Sequence, residues 1–397
     1  MIIEKVHFRK IIDSRGNPAI EVDIDTSDGI GRCAAPAGAS TGIYEAQAYP
    51  KNGIDEGIEI AKKEVLPRFK GMEVENQEHI DQTLMEIDGT KNFSRIGGNI
   101  AVAISLASAK AAANGKDVAL YQYLKNVDEF KIPAPMGNVL GGGAHAVGGT
   151  DIQEFLVTSF CDNVTDAMLA NVSVHNRVKE KLRNRLPNHA LGKGDEGAWV
   201  APLSNVEALE LVVESAKEIS EERSVKIRTG LDMAASEFFI NDKYEYKEMS
   251  LTREEQINWV ADIIEKYNLY SVEDPIDQED FDGWAELTSK TNALIIGDDL
   301  YTTNRNRIEI GIEKKSTNAV LIKPNQIGTL TETKKAIEMA HGAGMVTVIS
   351  HRSGETTDST ISHLGVAFGC HAIKTGSVGG ERIACLLYTS PSPRDRG

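Results

Sequence analysis

The stretch LYSVEDPIDQEDFDGWAELTSKTNALIIGDD (269–299) decides the fold. It opens on a short apolar run ending in Glu273, passes through a helical pattern, and closes on a second apolar run ending in Asp298. That is one strand–helix–strand unit with a carboxylate at each strand tip. The same beat extends in both directions. VKIRTGLD (225–232) ends in Asp232, NAVLIK (318–323) in Lys323, MVTVISHRS (345–353) in His351 and Arg352, and CHAIK (370–374) in Lys374. Helical patterns such as REEQINWVADIIEKY (253–267) and LTETKKAIEMAHGAG (330–344) fill the gaps. A parallel (β/α) barrel turns every strand's C-terminal end to one mouth, whereas an open doubly wound sheet gathers only the ends near its switch point. Six successive strand ends bearing ionisable groups therefore favour an α/β fold built on a (β/α)8-type barrel.

The first third of the chain reads differently. Ile3, Val6 and Phe8, then Ile20, Val22 and Ile24, then Ile30 and Cys33 alternate as three short strands, parted by DSRGNP (13–18) and TSDG (26–29). PAGASTG (36–42) follows. Ile54, Ile58, Ala61, Val65 and Leu66 share a helical face that is expected to stop at Pro67, and an Ala-rich helix covers 100–113. This predicts a small α+β domain over 1–131, a barrel over 132–384, and an atypical tail over 385–397. In that tail Pro391 and Pro393 forbid a regular helix, which marks it as disordered or artefactual.

Composition narrows the function. Lys+Arg 43 against Asp+Glu 59 leaves a net charge of −16, which repels a phosphate backbone and excludes nucleic acid as the main partner. The four cysteines, Cys33, Cys161, Cys370 and Cys385, show no metal-type pairing and imply a reduced compartment. The N-terminus has no signal-peptide core and no apolar run reaches membrane-spanning length, so the expected location is the cytoplasm.

The strand tips carry the chemistry. Asp232, Glu273 and Asp298 brought together need a cation to neutralise them, and an all-oxygen set fits Mg2+ first and Mn2+ second. The alternative for each is a helix cap or an ion-pair partner. Arg352 beside Ser353 reads as an anion fork that matches phosphate oxygens, its alternative being a surface Arg–carboxylate pair. Lys323 ends an apolar run, and neighbouring cations are expected to lower its pKa so that it acts as a base. Lys374 either supplies part of that push or binds a substrate carboxylate. Glu196 sits between glycines in GKGDEGAW (192–199), and QEF (153–155) offers Glu154. Read alone, His145 in GGGAHAVGG (141–149) is expected to be exposed.

In order, DSRGNP, GASTG, NVLGGGAHA, QEF, GDEG, GLDMAASEF, SVEDP, GDDL, LIKPNQIGTL, SHRSGET and IKTG resemble the enolase family, phosphopyruvate hydratases, from about residue 3 to Ala384. The resemblance implies a lid-bearing α+β domain before a barrel with an irregular ββαα start. It implies two Mg2+ ions, one on Asp232, Glu273 and Asp298 and a second joined by Ser40 as the lid closes. Lys323 matches the base, Glu196 the acid and Glu154 its assistant. Arg352 and Ser353 match the phosphate contacts, Lys374 a substrate-carboxylate contact, and His145 and His351 the pocket histidines. The reaction so implied is reversible dehydration of 2-phosphoglycerate to phosphoenolpyruvate, by a homo-oligomer (dimer or larger). Rival readings are another dehydratase or lyase of the superfamily, which would need neither Arg352–Ser353 nor the lid, and a non-catalytic scaffold. GDEGAWVAP departs from the family's commoner GDEGGFAP by one extra residue.

Overall fold

The computed structural model describes residues 1–39, 41–125, 130–146 and 148–382. The tail expected over 385–397 therefore lies outside the described residues, as does Ser40.

Three antiparallel strands, β1 (Ile3–Ile12), β2 (Pro18–Thr26) and β3 (Ile30–Ala35), form a sheet in the order β1-β2-β3. The helix Gly98–Gly115 packs across β2 and β3. Its alanines have almost no side chain to hold the sheet away, and Gly31 completes the fit: a Cβ there would meet Ala107 O at 1.9 Å. The segment after the lid does not stop at Pro67. Ile54–Ile60 runs into a π-turn over Ala61–Val65 and on into a last turn, Leu66–Phe69, so that Pro67 lies within the helical run.

The rest closes into the expected barrel. Its strands are β4 (Ala134–Gly141), β5 (Glu154–Phe160), β6 (Lys226–Asp232), β7 (Ser271–Glu273), β8 (Leu294–Gly297), β9 (Ala319–Ile322), β10 (Val346–Ser350) and β11 (Ala372–Lys374). They neighbour one another in chain order, and β11 returns to pair with β4 through Ala372 and Ala134. Helices Val164–Arg185 and Asn205–Arg223 separate β5 from β6, which gives the irregular ββαα start. Met136, Leu156, Ile296, Leu321 and Val348 fill the barrel interior as a core of their own.

The barrel is not wholly parallel. β5 runs antiparallel to both neighbours, with Glu154 opposite Gly141 on one side and Asp232 on the other. Hydrophobic runs carry no sign of direction, so the sequence reading missed this. The consequence is chemical: Glu154 begins its strand and Asp232 ends one, yet both stand at the same mouth.

The N-terminal domain is fixed to the barrel by buried polar contacts. Asp81 Oδ2 accepts from Thr331 N at 2.8 Å, and Lys110 Nζ donates to Asp358 Oδ2 at 2.8 Å. Burial would raise the Asp358 carboxyl, but Lys110 holds it below the usual range. Lys110→Met should strand that carboxylate and cost about 3 kcal/mol of stability at neutral pH. Because the folded pKa of Asp358 is depressed, this contribution is full above about pH 4 and fades as acid protonates it. Chemical denaturation of wild type and variant, at neutral and at acid pH, checks both the size and the sign.

Candidate active site

Most of the predicted residues meet at one cavity, and Glu273 and Asp298, which are not in its lining, pair with its lysines. Gly38, His145, Gln153, Glu154, Glu196, Asp232, Lys323, His351, Arg352, Ser353 and Lys374 line one small cavity at the barrel mouth. Lys374 is its central cation. Its Nζ lies 2.9 Å from Asp232 Oδ2, 2.9 Å from Glu273 Oε2 and 3.1 Å from Glu154 Oε2. Burial disfavours that charge, but the three carboxylates outweigh it and raise the lysine well above its ordinary value. Even so the site is short of positive charge: burial, then Asp232, push Glu273 well above the usual carboxylate range.

Lys323 faces into the same cavity and pairs directly with Asp298 Oδ2. The expected lowering of its pKa is not what the structure gives. Burial and Arg352 do oppose its charge, but the adjoining Asp298 carboxylate prevails and the lysine is raised. Asp298 also accepts from Gln326 Nε2 at 2.8 Å.

A second cluster surrounds Glu196. His145 is only 9 % exposed, not the surface residue expected from its glycine-rich surroundings. Its Nδ1 lies 3.4 Å from Glu154 Oε1 and 3.7 Å from Glu196 Oε1, and His351 Nε2 lies 3.4 Å from Glu196 Oε1. Burial would raise Glu196, but the surrounding His145, His351 and Arg382 bring it well below its ordinary value. Burial and the Glu196 charge instead raise Glu154. Of the two carboxyls, Glu154 is thus the one shifted toward its protonated form, although the family resemblance casts Glu196 as the acid. In the loop behind Glu196, Gly197 takes a φ of 79° that suits glycine, and Trp199 Nε1 donates to His175 O at 2.9 Å.

The anion fork is engaged by a carboxylate of the lid segment itself. Arg352 Nη1 donates to Glu45 Oε2 at 2.9 Å and Nη2 to Glu45 Oε1 at 3.1 Å, and Ser353 Oγ accepts from Ala39 N. Glu45 lay just past the GASTG motif and was missed; so was Gln326, although LIKPNQIGTL contains it.

As metal ligands the three predicted carboxylates divide. Asp232 and Glu273 meet at Lys374, whereas Asp298 turns to Lys323. Among the described residues the all-carboxylate group whose oxygens lie within 4.8 Å of one another is Asp274, Asp298 and Asp299. Asp274 is occupied there, accepting from the backbone N–H groups of Asp298 and Asp299 at 2.9 and 2.8 Å. The buried carboxylates Asp232, Glu273 and Asp298 offer oxygen donors only, a set that fits a hard divalent cation.

Comparison with known proteins then identifies the chain. Residues 3–124 match the family profile described as the enolase N-terminal domain, and residues 129–387 match the enolase C-terminal TIM barrel domain. The chain belongs to the enolase family. The enolase of Picrophilus torridus is 48% identical over 386 residues, covering 97% of this chain and 96% of its own. Those of Methanosphaera stadtmanae and Methanocorpusculum labreanum are each 50% identical, again over 97% of this chain and over 95% and 97% of theirs. Enolases are phosphopyruvate hydratases, which are lyases, and the family implies a divalent metal. Among the described residues no helix is long and apolar enough to cross a membrane.

Proposed function

We propose that this chain dehydrates 2-phosphoglycerate to phosphoenolpyruvate and water at the barrel mouth, with Lys323 as base and Glu196 as acid. The observation that carries the reading is that one cavity receives two separate ionisable clusters, Lys323 with Asp298 and Glu196 with His145, Glu154 and His351. A reaction that removes a proton and expels hydroxide needs two such centres.

Asp232, Glu273 and Asp298 would hold Mg2+, or Mn2+ in its place, and Ser40 would join a second ion. When bound, Mg2+ supplies positive charge against the extra negative charge that proton removal places on a substrate carboxylate. Lys323 Nζ takes the Cα proton. Arg352 and Lys374 disfavour its charged form against the pull of Asp298, which would ease if Asp298 held a metal ion instead. The Cα electron pair forms the double bond as the C–O bond breaks, and hydroxide leaves as water with a proton delivered by Glu196. Glu154, the carboxyl that burial and the Glu196 charge raise, adjoins this acid, and His351 lies beside Glu196. Arg352 and Ser353 would bind the phosphate, and closure of 36–42 would exclude water. The proposed setting is a cytoplasmic homo-oligomer, as the family resemblance implies.

Mixing the protein with 2-phosphoglycerate should produce the ultraviolet absorbance of phosphoenolpyruvate with Mg2+ and none with chelator. No absorbance under either condition refutes the reading. Asp298→Asn should preserve the circular dichroism spectrum but raise the Mg2+ needed for half-maximal rate by at least about 10- to 100-fold. Wild-type activity of that variant at low Mg2+ would remove Asp298 from the metal site.

A further inference from the structure

Arg382 entered above only through its charge on Glu196, yet its side chain is among the largest fully buried ones, at 1 % exposure. Nη1 lies 2.6 Å from His351 Nδ1 and donates to Arg352 O at 3.0 Å. Nη2 donates to Ser353 O at 2.8 Å, Asp195 O at 3.0 Å and Ser14 Oγ at 3.3 Å. One guanidinium thus joins the loop after β10, the residue preceding Glu196, and the DSRGNP turn of the N-terminal domain.

The contact with His351 has a chemical consequence. A guanidinium only donates, so His351 Nδ1 must be the bare, accepting nitrogen, and the ring proton must sit on Nε2. That nitrogen is buried, makes no hydrogen bond among the described residues, and lies 3.4 Å from Glu196 Oε1 inside the cavity. We infer that Arg382 is a positioning residue that locks His351 as a neutral Nε2–H donor, aimed at the oxygen that Glu196 protonates. Burial acts in the same direction: against the pull of Glu196 it drives the imidazole down to about 4, so the ring carries no charge near neutrality. On this account His351 is a fixed hydrogen-bond donor and not a second acid. Arg382 also sets the Arg352–Ser353 fork and Glu196 relative to each other through backbone carbonyls. The catalytic part of the inference rests on Glu196 being the acid; the tautomer does not.

The test uses the full chain labelled with 15N-histidine, its His351 ring signals identified by their absence in His351→Asn. Two-bond proton–nitrogen correlation at about pH 7 should show a protonated Nε2 and a bare Nδ1. An Nδ1–H tautomer or a doubly protonated ring overturns the inference. Arg382→Lys keeps the charge but not the fork. It should mix the two tautomers and lower dehydration roughly tenfold more than Cα proton exchange. Wild-type tautomer and wild-type rate ratio in that variant would show that Arg382 does not set them. Should the variant fail to fold, the wild-type spectrum still decides the tautomer. Because the spectrum needs no turnover, a wrong tautomer and a wrong assignment of the reaction are told apart.

Discussion

Lys323→Ala is expected to lower phosphoenolpyruvate formation by about 10^3- to 10^4-fold while 2-phosphoglycerate still binds, because general-base catalysis contributes on that scale. Its side chain enters the cavity from the end of β9, beside Asp298 and in the field of Arg352, Lys374 and Glu273. Lys374, which lines the same cavity, is already held by Glu154, Asp232 and Glu273. Removing Lys323 also relieves Asp298 of a partner, so the metal should bind no more weakly than before and the loss should fall on kcat. Steady-state rates with an independent binding titration separate the two effects. Turnover within about tenfold of wild type would take Lys323 out of proton transfer, and loss of binding instead of kcat would make it a substrate anchor.

Much of this site could be read from the chain because polar residues that end apolar runs have few places to go in a barrel. Asp232, Lys323 and Lys374 line the mouth, and Glu273 pairs there with Lys374. What escaped the reading depends on direction, burial or backbone. The antiparallel β5 escaped because alternation is the same in either direction. The burial of His145 escaped because its glycine-rich neighbours describe only local flexibility, whereas Glu154 and Glu196 enclose it from other segments. The charge states escaped because Asp298 and Glu196 each act on a partner distant in sequence. Arg382 escaped because it works mainly through carbonyl oxygens, which no side-chain pattern records.

Glu196→Gln is the second large effect. The amide keeps the shape and the reach to His351 but has no acidic proton, so expulsion of hydroxide should fall by about 10^2- to 10^4-fold. Lys323 and Asp298 lie in the other cluster and are untouched, so the Cα proton should still come off and return. Glu154 cannot simply substitute: it is raised by burial and by the Glu196 charge, and the amide removes that charge. The neutral variant should therefore let Glu154 ionise more readily.

The division of labour between the two clusters is read most directly by running both variants in deuterated water with Mg2+ and comparing Cα deuterium uptake into 2-phosphoglycerate with phosphoenolpyruvate release. Glu196→Gln should exchange without releasing product, and Lys323→Ala should do neither. Equal loss of exchange and release in Glu196→Gln, or continued exchange in Lys323→Ala, would contradict the assignment of base to one cluster and acid to the other.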